Sequence, residues 1–310
     1  MRVLITGAAG FVGRWLAREL LAGGDRLFGL HRPGDGCISE GTTPLEADIR
    51  DPEALARAVA TADPEAIYHL AALSSATIRD PDALTEVNVE GTRHLLNAAA
   101  ALGHPVRVLL ASSGYVYGEC DPDRPATEET PPAPIGPYAW SKWRMERVAR
   151  EARQPPVTLH IARAFNHTGP GQDARFAVPS FARQIAAAER RGTEALLRVG
   201  DLTPRRDFLD VRDVARAYRL IMTHGTEGGV YNIASGTAIG MQQVLEILAT
   251  LARVPVRPEP DGARLRPAEV QVSVGSAARL REATGWRPEF ALERTLADTL
   301  DYWRCREEAT

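Results

Sequence analysis

Short apolar runs of β character alternate with longer helical ones through the first half of the chain, and no other feature constrains its fold as strongly. Arg2–Thr6, Arg26–Leu30, Ala66–Leu70, Val106–Ala111 and Val157–Ala162 read as strands. Between them, Gly13–Ala22, Pro52–Thr61, a long segment from about Asp82 to Leu102, and the stretch after Pro137 to about Arg153 read as helices. Strands separated by helices form a parallel sheet with helices on both faces. The strands are apolar throughout, as a sheet covered on both sides requires. The pattern predicts an α/β fold built on a doubly wound parallel sheet.

Near residue 165 the regularity ends. A loop rich in Gly and Pro, Asn166-His167-Thr168-Gly169-Pro170-Gly171-Gln172, precedes an amphipathic helix at Val178–Arg191. Val211–Met222 reads as a helix, Gly229–Ile233 as a strand and Met241–Arg253 as a helix, followed by a Pro- and Arg-rich stretch, Val254–Pro267. Ala277–Thr284 and Leu292–Arg306 are again helical. With no repeat and no linker-like tract, the second half reads as an irregular cap grown from the sheet.

A chain of 310 residues buries roughly three quarters of its unfolded surface and folds without disulfides or metal. Its formal net charge of −3 argues against a nucleic-acid partner, which would need a strongly basic face. No apolar run approaches the ~20 residues of a membrane span. Met1–Gly7 lacks the apolar core of a signal peptide. Cys37, Cys120 and Cys305 are scattered without metal-ligand spacing, and their odd number fits a reducing cytoplasm. A cytoplasmic protein acting on a small molecule, without metal, is the expectation.

Gly7-Ala8-Ala9-Gly10-Phe11-Val12-Gly13 joins the first strand to the first helix with GxxGxxG spacing. The glycines permit a tight turn and let backbone approach a pyrophosphate at the positive end of the helix. An ordinary strand–helix turn is the plain alternative, but the position after Val3-Leu4-Ile5 favours a dinucleotide. At the end of the second strand, NAD enzymes place a carboxylate for the ribose and NADP enzymes place cations for the 2′-phosphate. Here Leu30 is followed by His31-Arg32, no acidic residue occurs before Asp35, and Arg14 adds a second positive charge. NADP(H) is the expected cofactor, with NAD(H) as second choice.

Tyr138-Ala139-Trp140-Ser141-Lys142 begins a helix just after Pro137. Residues four apart share a helical face, so Tyr138 and Lys142 point into one site. A free tyrosine has a pKa of about 10 and is a poor acid–base catalyst near neutrality. A neighbouring ammonium and a nicotinamide charge would move it towards working pH. Ser112-Ser113 ends the fourth strand, where α/β sheets present catalytic groups and a hydroxyl can hold a reacting oxygen.

Taken together, these residues resemble the extended short-chain dehydrogenases/reductases that act on nucleotide sugars. The likeness is carried over nearly the whole chain by the GxxGxxG, Asp48-Ile49, His69-Leu70-Ala71-Ala72, Asn88, Ser112-Ser113-Gly114-Tyr115-Val116-Tyr117-Gly118, the YxxxK and Arg206-Asp207-Phe208. The resemblance implies an NAD(P)-binding Rossmann domain at 1–165, with 207–235 returning to it, and a nucleotide-sugar-binding domain at 166–206 and 236–310. It implies Ser113, Tyr138 and Lys142 as the catalytic triad. Cofactor contacts would come from Gly7, Gly10, Phe11, Val12 and Gly13, from His31 and Arg32, and again from Tyr138 and Lys142. Asp48 and Ile49 would flank the adenine, and Leu70, Ala71 and Ala72 the ribose and nicotinamide. His69 and Asn88 keep packing and capping readings and stay outside the catalytic set. A homodimer through the helices at 82–102 and 138–153 is also implied.

Within this family, 4,6-dehydratases carry a carboxylate two positions after the triad Ser/Thr; here that position is Tyr115, which disfavours elimination. Ala162–Gln172, Arg183-Gln184-Ile185, Val199-Gly200-Asp201 and Arg206–Val211 are similar to stretches of GDP-4-keto-6-deoxy-D-mannose reductases, and Arg266-Pro267-Ala268-Glu269-Val270 to a motif of GDP-mannose dehydratases. A nucleotide diphosphate carries about two negative charges that guanidinium groups bind bidentately. Arg206 and Arg266 are the candidate clamp, with Asn166 beside them. Arg183 either joins them or lies exposed, and Gly200 and Glu269 are further substrate-binding candidates. The reading is reduction of a C4 ketone of a GDP-4-keto-6-deoxy-hexose. Its alternative is an NAD-dependent UDP-glucose-type 4-epimerase; a GDP-mannose 4,6-dehydratase and a non-catalytic NADP sensor stand behind these.

Overall fold

The computed structural model describes residues 1–74, 80–264 and 268–308. Seven strands make the large sheet: β1 (Arg2–Thr6), β2 (Arg26–His31), β3 (Thr42–Glu46), β4 (Ala66–His69), β5 (Val106–Ser113), β6 (Val157–Ala164) and β10 (Val230–Ile233). Their order is β10-β6-β5-β4-β1-β2-β3, and every pairing is parallel. The expected strands are present. Unforeseen was β3, whose Thr-Thr-Pro-Leu-Glu sequence is too polar to read as a sheet strand; it sits at the edge, where a proline costs no ladder bond.

Helices α1 (Phe11–Ala22) and α7 (Val211–His224) pack together on one face, and α2 (Pro52–Ala62), α4 (Gly91–Ala100) and α5 (Gly136–Ala152) on the other. The two-residue period of β1 divides its side chains between them. Val3 and Ile5 enter a core with Leu16, Leu20 and Val214, while Leu4 joins Leu55, Val59 and Leu95. Each such fully buried side chain contributes roughly 1.5–3 kcal/mol. Asp51 caps α2 by accepting from the Glu53 and Ala54 N–H groups, 3.0 Å each, with Pro52 at the first helical position.

The helix expected over 82–102 is interrupted. α3 (Pro81–Leu84) leads through a π-helical turn, Thr85–Glu90, into α4. Such wide turns gather at functional positions, and this one carries the buried Asn88.

The remaining chain builds two smaller sheets. β9 (Arg205–Asp210) pairs with β7 (Asn166–Thr168), β11 (Ala238–Gly240) and β13 (Val272–Ser273). The glycine-rich segment expected to be a loop therefore opens with a strand. β8 (Ala195–Val199) pairs with β12 (Val256–Pro260), so the Pro- and Arg-rich stretch also holds a strand, hidden by its Val-Arg-Pro-Glu-Pro composition. α6 (Ala177–Arg191), α8 (Met241–Leu251) and α10 (Leu292–Glu308) close this part over Phe181, Ile185, Leu197, Val244, Leu248 and Leu296. α9 (Ala278–Thr284) and the fully buried Trp286 instead pack against α7, and α9 also contacts β10, so part of the segment expected in the cap lies on the large sheet. Among the described residues no helix is long and apolar enough to cross a membrane.

Candidate active site

A cavity of about 720 Å³ runs along the C-terminal ends of β1, β2, β4, β5 and β6, the edge where parallel sheets present ligand sites. Gly7, Gly10, Phe11, Val12 and Gly13 line one part of it. Gly7 has φ of +71°, and a Cβ there would lie 2.9 Å from Ala71 N; a Cβ on Gly13 would lie 2.4 Å from the Gly7 carbonyl oxygen. Only glycine permits this approach of α1 to the loop. The N-cap of α1 is Gly10, with no side chain to cap the first turn. A pyrophosphate fits that set of N–H donors and the helix dipole, so the residues suit a dinucleotide.

At the end of β2, His31 and Arg32 line the cavity. Asp35 lines it too, which the sequence reading missed. Arg32-Pro33-Gly34-Asp35 is a tight turn, with Asp35 N donating to Arg32 O at 3.1 Å and Gly34 at φ +80°. The turn sets the Arg32 guanidinium 3.0 Å from the Asp35 carboxylate. Burial works against the Asp35 charge, but hydrogen bonds from Arg32 outweigh it and hold its pKa below the usual carboxylate value. Arg14 is not presented as the expected second cation: it donates to Ala9 O at 2.7 Å and Gly171 O at 3.0 Å, tying the glycine loop to the cap. Asp48 and Ile49 line the same end, the Asp48 carboxylate held by Arg50 at 2.7 Å.

Leu70, Ala71 and Ala72 form the next stretch of wall. Beneath it, His69 bridges Thr6 Oγ1 (2.8 Å) and Thr92 Oγ1 (2.9 Å), and burial drives its pKa down to about 3, so it is neutral. Asn88 Oδ1 accepts from Leu73 N at 2.8 Å, while its Nδ2 donates to Leu73 O and to Ser141 Oγ at 2.9 Å. Its role is larger than a helix cap, since it ties the cavity wall to α5.

Ser113, Tyr138 and Lys142 all line the cavity. Pro137 lies in the first turn of α5, and the four-residue spacing turns Tyr138 and Lys142 to one side. Burial pushes the Tyr138 phenol up to about 12, opposed by its hydrogen bond with Ser113. Burial lowers Lys142 to about 8, opposed by the Glu146 charge. The expected depression of the tyrosine is therefore not set up by the protein alone. The Lys142 ammonium is directed at Ala111 O, 2.9 Å away, and the phenol is held protonated. One signal in the sequence would have singled out this residue: among 37 Lys and Arg, Lys142 is the only lysine.

The expected substrate residues divide. Asn166 lines the cavity, and its buried Oδ1 has no hydrogen-bond partner among the described residues. Arg206 does not line it: its guanidinium donates to the carbonyls of Arg205, Val270 and Gln271 and, at 3.2 Å, to the Tyr115 hydroxyl. Tyr115 does line the cavity, its ring edge-on to Tyr138 at 6.2 Å. Arg183 is exposed on α6 over Trp303. Gly200 packs beneath the Arg264 carbonyl, and the Glu269 carboxylate lies against Gly136 at the start of α5. Arg266 lies outside the described residues. Gln172, Arg175 and Phe176 line the cavity without having been foreseen as site residues; they lie at the end of an irregular loop or just after it, where no periodicity reveals the path. Among the described residues no group of three or more His, Cys, Asp or Glu could hold a metal.

Compared with known proteins, the profile of the NAD dependent epimerase/dehydratase family matches residues 3–234. The chain is 37% identical to a GDP-6-deoxy-D-mannose reductase of Pseudomonas aeruginosa, over 99% of each chain. It is 33% identical to a UDP-glucose 4-epimerase of Mycolicibacterium smegmatis, over 99% of this chain and 100% of the relative. Among solved structures, RMD from Pseudomonas aeruginosa complexed with NADPH superposes with a TM-score of 0.83 at 35% identity, covering 99% and 100% of the two chains. A Thermus thermophilus UDP-glucose 4-epimerase in complex with NAD gives 0.86 at 31%, covering 98% and 99%.

Proposed function

The chain belongs to the NAD dependent epimerase/dehydratase family, the extended short-chain dehydrogenases/reductases, and is an NAD(P)-dependent oxidoreductase; from that premise we propose that it reduces the C4 ketone of a GDP-4-keto-6-deoxy-hexose to a GDP-6-deoxy-hexose, of the GDP-D-rhamnose type. The observation that carries this reading is that Ser113, Tyr138 and Lys142 line one cavity, with Tyr115 and not a carboxylate two positions after the serine. A ketone reductase needs a proton donor at the nascent alkoxide, and Tyr138 is the group in the cavity that can supply it. Tyr115 in place of a carboxylate argues against dehydration, and the P. aeruginosa reductase relative supports the GDP sugar.

NADPH, when bound along the glycine loop and Arg32, supplies the hydride. Ser113 holds the carbonyl oxygen, Tyr138 donates its proton to that oxygen, and Lys142 places a positive charge below the phenol. Such a general acid contributes roughly 10²–10⁴-fold. Asn166 offers hydrogen bonds to the nucleotide sugar, while Arg206 acts one residue removed by fixing Tyr115. The molecule is read as a homodimer through α4 and α5, where Trp140 is 46% exposed; sedimentation at micromolar concentration would show a mass near one chain if this is wrong.

A second reading, a UDP-sugar 4-epimerase using NAD, is favoured by Asp35 at the ribose end of the cavity and by the M. smegmatis relative. A spectrophotometric assay separates the two. Stoichiometric NADPH loss with GDP-4-keto-6-deoxy-mannose supports the reductase. Interconversion of UDP-glucose and UDP-galactose without net cofactor consumption would establish the epimerase instead.

A further inference from the structure

Three consecutive residues of β5 are each gripped by a different turn of α5. Ala111 O accepts from Lys142 Nζ at 2.9 Å, Ser112 Oγ donates to Glu146 Oε1 at 2.6 Å, and the Ser113 hydroxyl meets Tyr138. Tyr138, Lys142 and Glu146 are spaced by four, so they form one stripe of the helix facing the strand. Tyr138 and Lys142 have roles in the mechanism above, and Glu146 has none. Yet Glu146 is wholly buried, where a carboxylate is tolerated only when paired. Its partner is Arg163 of β6, itself 3% exposed, through Nε at 2.9 Å and a second nitrogen at 2.7 Å. The third Arg163 nitrogen donates to the Tyr117 hydroxyl at 2.9 Å, and Arg150 adds a 3.3 Å contact to Glu146.

A buried bidentate pair is weak evidence of stability, because apolar residues of the same volume often do as well. It is better evidence of a fixed charge. We propose that Glu146 is the positioning residue for Lys142: locked by Arg163 and Ser112, its carboxylate one turn along α5 seats the ammonium under Tyr138 and keeps it charged. This rests on the reading of Tyr138 and Lys142 as the proton-transfer pair. The other groups facing Lys142 do not replace Glu146. His69 at the end of β4 is neutral, Tyr138 is protonated, Tyr218 of α7 in the same cavity is a buried phenol held above its usual pKa, and the Arg163 guanidinium is engaged by Glu146. Burial already weakens proton binding by Lys142, and Glu146 is the group that opposes this.

Because Lys142 is the only lysine, labelling lysine with ¹³C at Cε gives one side-chain resonance, and its pH titration reads the site without any turnover. Glu146→Gln keeps the shape and removes the charge, and it should lower the titration midpoint by about one pH unit, a tenfold loss of proton affinity. Glu146→Asp keeps the charge and should hold the midpoint within a twofold change in affinity. Arg163→Gln unlocks the carboxylate and leaves it buried without its main partner, so it should lower the midpoint as E146Q does. The alkaline limb of kcat/KM should follow the resonance in each variant. A midpoint that stays put in E146Q, or that moves as far in E146D as in E146Q, overturns the proposal; should E146Q not fold, a rise or no change in R163Q does so. Tyr138→Phe runs beside them: if it keeps turnover, the proton-transfer reading fails, while the lysine titration still reports on Glu146.

Discussion

Replacing Gly13 by alanine tests the glycine loop with a perturbation whose size can be worked out. The added Cβ would sit 2.4 Å from the Gly7 carbonyl oxygen and 2.9 Å from both Ala8 Cα and Ala8 O. All three are backbone atoms, so no flexible side chain can swing aside. Ordinary contact is nearer 3.4 Å, so α1 and the loop must part by about 1 Å, at the overpacking cost of roughly 1–3 kcal/mol. The same movement withdraws the α1 N–H groups from an anion at Gly10–Gly13. Loss of one or two such hydrogen bonds, worth about 1.5–3 kcal/mol each when the partner is charged, weakens cofactor binding by about 10- to 100-fold or more. Titration of NADPH fluorescence measures the affinity, and a thermal melt measures the strain. Gly24→Ala is the control, since a Cβ there meets nothing within 4 Å, although its φ of +80° carries its own strain. If G13A bound NADPH within twofold of the wild type, the loop would not be the pyrophosphate cradle.

Three further outcomes follow from other parts of the site. Arg32→Gln should lower kcat/KM with NADPH by about 10- to 100-fold and leave NADH within about threefold, because Asp35 then faces the ribose alone; equal losses with both cofactors would remove Arg32 from the selection. With Lys142 at about 8 in the free protein, kcat/KM should decline as pH rises through about 8, since the charged form lies below that pH; a profile flat from pH 7 to 9 would count against a role for its charge. Burial holds Asp207 above its usual carboxylate value, yet its oxygens accept from Ser235 N and Oγ (2.7 Å each), Gly236 N and Gly275 N. Asp207→Asn turns an amide N–H towards those donors and should destabilise the protein by about 2–3 kcal/mol in urea unfolding, and an unchanged midpoint would show the loops to be anchored elsewhere.

Much of this molecule is legible in the chain because its signals are local. Val3-Leu4-Ile5, the GxxGxxG turn and the helix opening at Pro52 are specified within a few residues of themselves, and each stands where the sequence puts it. So does the pairing of Tyr138 with Lys142, which a helical period of 3.6 enforces whatever surrounds it. The polar edge strands β3 and β12 escaped notice because an edge tolerates proline and charge, so nothing in their own residues distinguishes them from loops.

Contacts between distant segments were decided by the tertiary structure. Arg14 and Arg206 are arginines like any others in the sequence. Packing turned the first onto Gly171 O and the second onto the carbonyls of Val270 and Gln271, so neither guanidinium is presented to the cavity. Asp35 became a cavity residue through the turn it shares with Arg32. The proton affinities of Tyr138 and Lys142 came from burial, a property no single segment possesses. Helical and strand periods are written into neighbouring residues, but desolvation and the destination of a long charged side chain depend on which distant backbone the fold brings alongside.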